Sequence, residues 1–228
     1  MTRAYLIIAS LLLVVGSGAR QTYAQIQPSS RGARDKGQID GIAARIEDDV
    51  ITESEVRELG EFQQLVDGKS KSRMELLREL ADQWLIRSEA VATQYAQPSA
   101  KDVDHAYDDF VKQFPSPEVF KQKCAAAGLS EAAVRRMIRQ QLYLSRFIDY
   151  RFRPTAQVTD QQVADYYRDD FVPQLKARHA EVPPLDDVED TIREVLIQRV
   201  INDRATKWLD DTRAHVTLDI VSQASAPQ

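Results

Sequence analysis

Cysteine is nearly absent from this chain. Cys124 is the single one among 228 residues, which excludes an intramolecular disulfide and any cysteine-based zinc site. Histidine is almost as scarce. His105, His179 and His215 lie far apart, and none has a histidine or cysteine partner at the helical spacings of three or four residues; the carboxylates beside His105 (Asp102, Asp104, Asp108 and Asp109) read as a solvated helix face. Glycine numbers only 8, with no Gly-rich phosphate loop, no dinucleotide-binding fingerprint, no nucleophile elbow and no His-Glu-x-x-His. No catalytic residue, cofactor or metal site is assigned from these patterns. Positive charge is in deficit, at a formal net charge of -5, where a nucleic-acid partner calls for a basic face. Internal repeats and low-complexity segments are missing too. Apart from one stretch at the start there is no long hydrophobic run.

That stretch reads as a secretory signal peptide over residues 1–24. Arg3 gives a basic start, Ala4 to Val15 an apolar run too short for a comfortable membrane span, and Thr22-Tyr23-Ala24 a small-residue cleavage site, with Ser17-Gly18-Ala19 as an alternative. Cleavage removes Arg3 and Arg20, taking the formal charge from -5 to -7. The exported protein is expected to have no stable membrane insertion. Residues 25–38, with Pro28, Ser29, Ser30, Gly32 and Gly37 and no periodicity, predict a flexible leader. Residues 222–228 predict a disordered tail.

What the sequence has in quantity is amphipathic helix. Ile42, Ala44 and Ile46 alternate as in a half-buried strand, Asp48-Asp49 offer a turn, and Thr52 with Glu55 forms a capping box that opens the first helix. Two short strands are marginal alone. Val216–Ile220 is the only other clear strand pattern, so the chain ends are expected to pair, Leu218 near Ile46. Val56, Leu59, Phe62 and Val66 mark a helix that Asp67-Gly68 ends. The next is expected from about Ser70 to Ala96, with Met74, Leu77, Ala81, Trp84, Val91 and Tyr95 as its stripe and Gln97-Pro98 as its stop. Ser99 and Asp102 cap a third, which carries Val103, Ala106, Tyr107, Phe110, Val111 and Phe114 at helical spacing. A short helix spans Pro117 to about Ala127.

Ser130 opens a helix to about Phe152 that is apolar over so much of its girth that it should be central. Thr159 with Gln162 caps another. An irregular link is expected from Phe171-Val172-Pro173 to Pro183-Pro184, then a long helix from Leu185 to about Ala214.

Three segments in this order resemble one family. Asp49-Val50-Ile51-Thr52-Glu53-Ser54-Glu55-Val56 resembles the opening of the SurA-like periplasmic chaperones. Val158-Thr159-Asp160-Gln161-Gln162-Val163-Ala164-Asp165-Tyr166-Tyr167 resembles the segment that precedes the parvulin prolyl-isomerase domain in that family and its PpiC-type relatives, and Pro183-Pro184-Leu185-Asp186-Asp187-Val188 the segment that resumes after it. The resemblance implies a mainly α, multi-helix SurA-like chaperone domain over residues 39–221, with a small antiparallel sheet joining the N-terminal hairpin to the C-terminal strand. It departs from the family in one respect. Phe171 to Val182 is all that separates the last two motifs, and a folded domain needs about 50 residues or more, so the isomerase insert is absent near 171–183. Lys176-Ala177-Arg178-His179 resembles only the opening strand of such a domain.

The function implied is ATP-independent binding of unfolded outer-membrane or envelope proteins through apolar grooves, with no enzymatic activity. A degenerate isomerase and an envelope adaptor subunit stand as alternatives. Peptide-binding candidates are the aromatic and sulfur side chains beyond what one core needs: Tyr107, Phe110, Phe114, Phe120, Met137, Tyr143, Phe147 and Tyr150.

Overall fold

The computed structural model describes residues 40–221; the expected signal peptide, leader and tail lie outside them. The protein is mainly helical, with a small three-stranded antiparallel sheet. The strands are β1 (Ile42–Ile46), β2 (Asp49–Thr52) and β3 (Leu218–Ile220), in the order β2-β1-β3. Ile46 stands opposite Leu218, Arg45 opposite Asp219 and Ala44 opposite Ile220, so the two ends of the described chain close on each other as expected. The hairpin differs from its sequence pattern. A register shift between Ile42 and Ala44 breaks the alternation, and Ala43 and Ala44 are both 0% exposed. Such a bulge turns two neighbours toward one side. The turn residues are Glu47 and Asp48, not Asp48 and Asp49, and Glu47 takes a left-handed φ of 48° where glycine or asparagine is usual.

Local capping sets most helix starts. Thr52 and Glu55 form the expected capping box on α1 (Glu53–Asp67), and Gly68 closes it at φ 72°. Ser72 and Glu75 make a second box, which starts α2 (Arg73–Ala92) three residues later than expected from Ser70. It also ends early. Gln97-Pro98 is not the stop: the Thr93 hydroxyl donates to the Glu89 and Ala90 carbonyls, and the turn through Gln94 carries Tyr95 out of the helix. The expected stripe therefore shifts. Leu77 and Ala81 are buried with Leu76, Leu85, Ile86 and Ala90, whereas Met74 and Val91 are exposed.

Ser99 with Asp102 caps α3 (Ala100–Val111), Ser116 caps α4 (Pro117–Ala127), and Ser130 caps α5 (Glu131–Phe152). Thr159 with Gln162 caps α6 (Asp160–Tyr166). The link expected from Phe171 to Pro184 is helical in its first part, as far as Ala177, and irregular over 178–184 as expected. A π turn over Tyr167–Phe171 leads directly into α7 (Val172–Ala177). Its i→i+5 bonding, with the Val172 N–H donating to the Tyr167 carbonyl, accommodates Pro173, which has no N–H to donate. The last helix, α8, runs Leu185–Arg213.

Three buried clusters result. One lies among α1, α3, α4 and the first half of α5, around Phe62, Tyr107, Phe120 and Val134. A second joins the end of α2 to the second half of α5 and to α8, around Phe147 and Ile201. The third seats the sheet on α1 and α2, around Ile46, Leu59 and Leu77. Because α5 feeds the first two, it is the central helix its composition predicts.

Candidate functional site

The eight candidate residues fall into two aromatic groups. In the first, the cap at Ser99 fixes the register of α3, so that Tyr107 and Phe110 face α4 and α1, and Phe114 joins them from three residues past the end of the helix. Phe110 stacks on Phe62 at 5.8 Å and meets Phe114 and Phe120 edge-on at 5.4 and 6.0 Å. Tyr107 meets Phe120 at 5.9 Å, and Phe114 meets Phe120 at 5.1 Å. Tyr107 and Phe120 are buried, so they are core side chains and not groove lining: the helices close over them. Phe110, Phe114 and Met137 are half-buried at the margin. Met137 also touches the cluster under the sheet. Lys123 sits 5.6 Å from the Phe114 ring, so this apolar rim carries a cation.

The second group forms around Tyr95. Its ring lies 5.8 Å from Tyr143, 5.5 Å from Phe147 and 5.1 Å from Tyr150. Tyr143 and Phe147 are core residues, Phe147 being only 1% exposed. Tyr150, one helical turn further along α5, is 63% exposed and is the one candidate that stands open to solvent. The groups do not merge into one groove, since they belong to separate buried clusters.

Sequence patterns missed Phe62 and Tyr95. Phe62 is half of the stacked pair that supports Phe110. Its signal was present, since it sits on the apolar stripe of α1. Tyr95 gave a misleading signal, because its spacing from Val91 suggests a helix that has already ended.

Beside the first group is an open cleft of about 430 Å³ between α1, the start of α2 and the end of α4. Val56, Gly60, Leu76 and Ala127 give it an apolar floor, and Glu53, Arg57 and Arg73 a charged lip. Arg73 donates to Glu53 Oε1 at 2.6 Å and to the Val221 carbonyl at 3.4 Å, tying this lip to the end of the sheet. A Cβ on Gly60 would come within 2.8 Å of Ser70 Oγ and 3.2 Å of Leu76 Cδ1, so any larger residue there requires the Ser70 and Leu76 side chains to shift.

Electrostatics around these surfaces are those of structure. Burial pushes the Tyr107 hydroxyl up to about 12. Burial and then the nearby Glu131 carboxylate push the Cys124 thiol up, which keeps it protonated and unreactive inside the first cluster. Among the described residues no group of three or more His, Cys, Asp or Glu side chains is placed to hold a metal ion. Among them, too, no helix is long and apolar enough to cross a membrane. No family model matches the chain, and no curated protein matches it.

Proposed function

We propose that this chain is an exported, periplasmic, ATP-independent chaperone of the SurA-like kind, one that has no parvulin domain and holds unfolded envelope or outer-membrane proteins. The observation that carries the proposal is the closure of the chain on itself. Leu218 lies opposite Ile46, which puts the three family-like segments on one helical frame whose first and last strands share a sheet. The interval that holds the isomerase in full-length relatives is here a π turn, one short helix and a connection to Pro184, too short for a catalytic module.

Binding falls to exposed and half-buried apolar side chains. Phe110, Phe114, Met137 and Tyr150 are the candidates left accessible once core residues are set aside. A client side chain buried against them gains about 1.5–3 kcal/mol, offset by the cost of ordering a flexible chain. A few such contacts give weak binding that exchanges without ATP.

The test is suppression of aggregation of a chemically unfolded outer-membrane protein. The full chain in several-fold excess should delay light scattering, and Phe114→Ser with Tyr150→Ser should weaken the effect. Unchanged scattering at every ratio would reject the chaperone. A chromogenic proline-peptide assay should show only the uncatalysed rate, and turnover above it would favour an isomerase.

A further inference from the structure

From Ala164 to Thr191 no residue is buried, although the chain there is helical except over 178–184. Val163 and Ile192, each 1% exposed, anchor the two ends of this stretch in the packed body. Arg193 secures the base by donating to the Val158 carbonyl at 3.1 Å and to Asp160 at 2.8 Å. Beyond that base the end of α6, the π turn, α7 and the start of α8 form an arm. Its apolar side chains cover one another only in part. Tyr167 stacks on Phe171 at 5.9 Å and donates to the Pro183 carbonyl at 2.8 Å. Leu175, one turn further on, continues that face and is half-buried like them. Two helical layers bury one stripe between them; the remaining apolar margin needs a third layer. Among the described residues none supplies it.

The exposed charge of the arm is mostly acidic. Arg168 is already engaged by Asp165 at 2.9 Å and Asp169 at 2.7 Å. Asp170, Glu181, Asp186, Asp187 and Asp190 are exposed and make no ion pair among the described residues, with Lys176 and Arg178 as the remaining cations of the arm. A second copy of a chain with net charge -5 would bring like charge to this arm.

We infer that the arm is a docking surface for extended polypeptide segments that combine large apolar side chains with lysine or arginine, the apolar groups covering Tyr167, Phe171 and Leu175 and the cations meeting the arm's exposed carboxylates. Calling such segments clients rests on the chaperone proposal; the docking itself does not.

The probe is a pair of fluorescein-labelled peptides of the same length and Phe/Leu content, one carrying lysines and the other glutamates at the same positions, titrated with the full chain at low salt. Anisotropy should show the lysine peptide binding about tenfold more tightly or better, with the difference shrinking at high salt. Phe171→Ser with Leu175→Ser should weaken the lysine peptide about tenfold. Asp170→Asn with Glu181→Gln and Asp190→Asn, all at exposed positions, should narrow the gap between the peptides without changing the far-ultraviolet dichroism. Equal binding of the two peptides, binding of neither, or unchanged binding by the double serine variant overturns the inference. So does a parent dimer that the double serine variant dissociates, since a second copy then covers the arm. Aggregation assays on the same samples separate the two proposals. Suppression without peptide selectivity sinks the arm and leaves the holdase; selectivity without suppression does the reverse.

Discussion

Glu47 and Thr217, 170 positions apart in the chain, are joined by two hydrogen bonds. The Glu47 N–H donates to the Thr217 carbonyl at 3.3 Å, and the Thr217 N–H donates to the Glu47 carboxylate at 2.8 Å. Glu47 is in the left-handed region, a conformation that costs a non-glycine residue about 1 kcal/mol or more. Thr217, which leads into β3, thus helps to hold the strained turn of the first hairpin. Ending the chain at Thr217 should cost about 3 kcal/mol, from the lost cover over Ile46 and the lost ladder bonds. Urea unfolding would read this as a lower midpoint, and an unchanged midpoint would show that closure contributes nothing.

Glu79 is 6% exposed, and the hairpin between α1 and α2 is built around it. Gln63 Nε2 donates to its carboxylate at 2.7 Å and Lys71 Nζ at 2.9 Å. Burial still pushes its carboxyl above the ordinary 4.5, against the pull of Lys71. The folded state therefore holds that proton more tightly than the unfolded one. Stability from this group falls as pH rises from the unfolded value through the folded value, then levels off. Lys71→Ala removes the cation, raises the folded value further and leaves a buried charge unpaired. It should cost about 2 kcal/mol at neutral pH, a value held down by the partial exposure of Lys71, and less at low pH, where Glu79 is protonated and leaves no charge unpaired. Glu79→Gln should stay within about 1 kcal/mol of the parent and remove this pH dependence. Denaturation midpoints across the acid-to-neutral range would check both.

The parts of the fold legible in the sequence are those set by local chemistry. The boxes at Thr52/Glu55, Ser99/Asp102 and Thr159/Gln162 each lie within four residues, so the cap is written where it acts. The end-to-end pairing was legible for a different reason, since a marginal hairpin needs a third strand and one strong pattern remained. Inward and outward aromatics could not be separated. Phe147 and Tyr150 are one turn apart on α5 and both pack on Tyr95, yet one is buried in the cluster shared with α2 and α8 and the other stands outside it. Pro173 read as a helix breaker because a π turn leaves no mark in composition.

Trp84 joins α2 to the sheet: its Nε1–H donates to Asp49 Oδ2 at 2.7 Å. Asp49 belongs to β2 and not to the turn, and this bond gives its side chain a structural use. Asp49→Ala should cost about 1 kcal/mol, the net worth of one bond to a charged acceptor at a partly solvated site. In a Trp208→Phe background, Trp84 is the remaining tryptophan, and its emission should shift when the bond is lost. No shift would mean that the indole keeps the same surroundings without Asp49.

Phe114 and Phe120 are 5.1 Å apart and should behave oppositely on substitution. Phe120 is buried among α1, α3 and α4, with Tyr107, Phe110 and Phe114 against its ring. Phe120→Ala leaves a cavity that those rings cannot fill without leaving their own partners, so stability should fall by about 3–5 kcal/mol. Phe114 lies at the half-buried margin, where water replaces part of what the ring loses. Phe114→Ser should cost about 1–2 kcal/mol, in proportion to its smaller buried area. The functional order is reversed. With folding verified by circular dichroism, Phe114→Ser should weaken client holding, while Phe120→Ala, measured well below its lowered Tm, should keep it. Equal losses of holding in both variants would mean that the rim binds clients only through the integrity of the core beneath it.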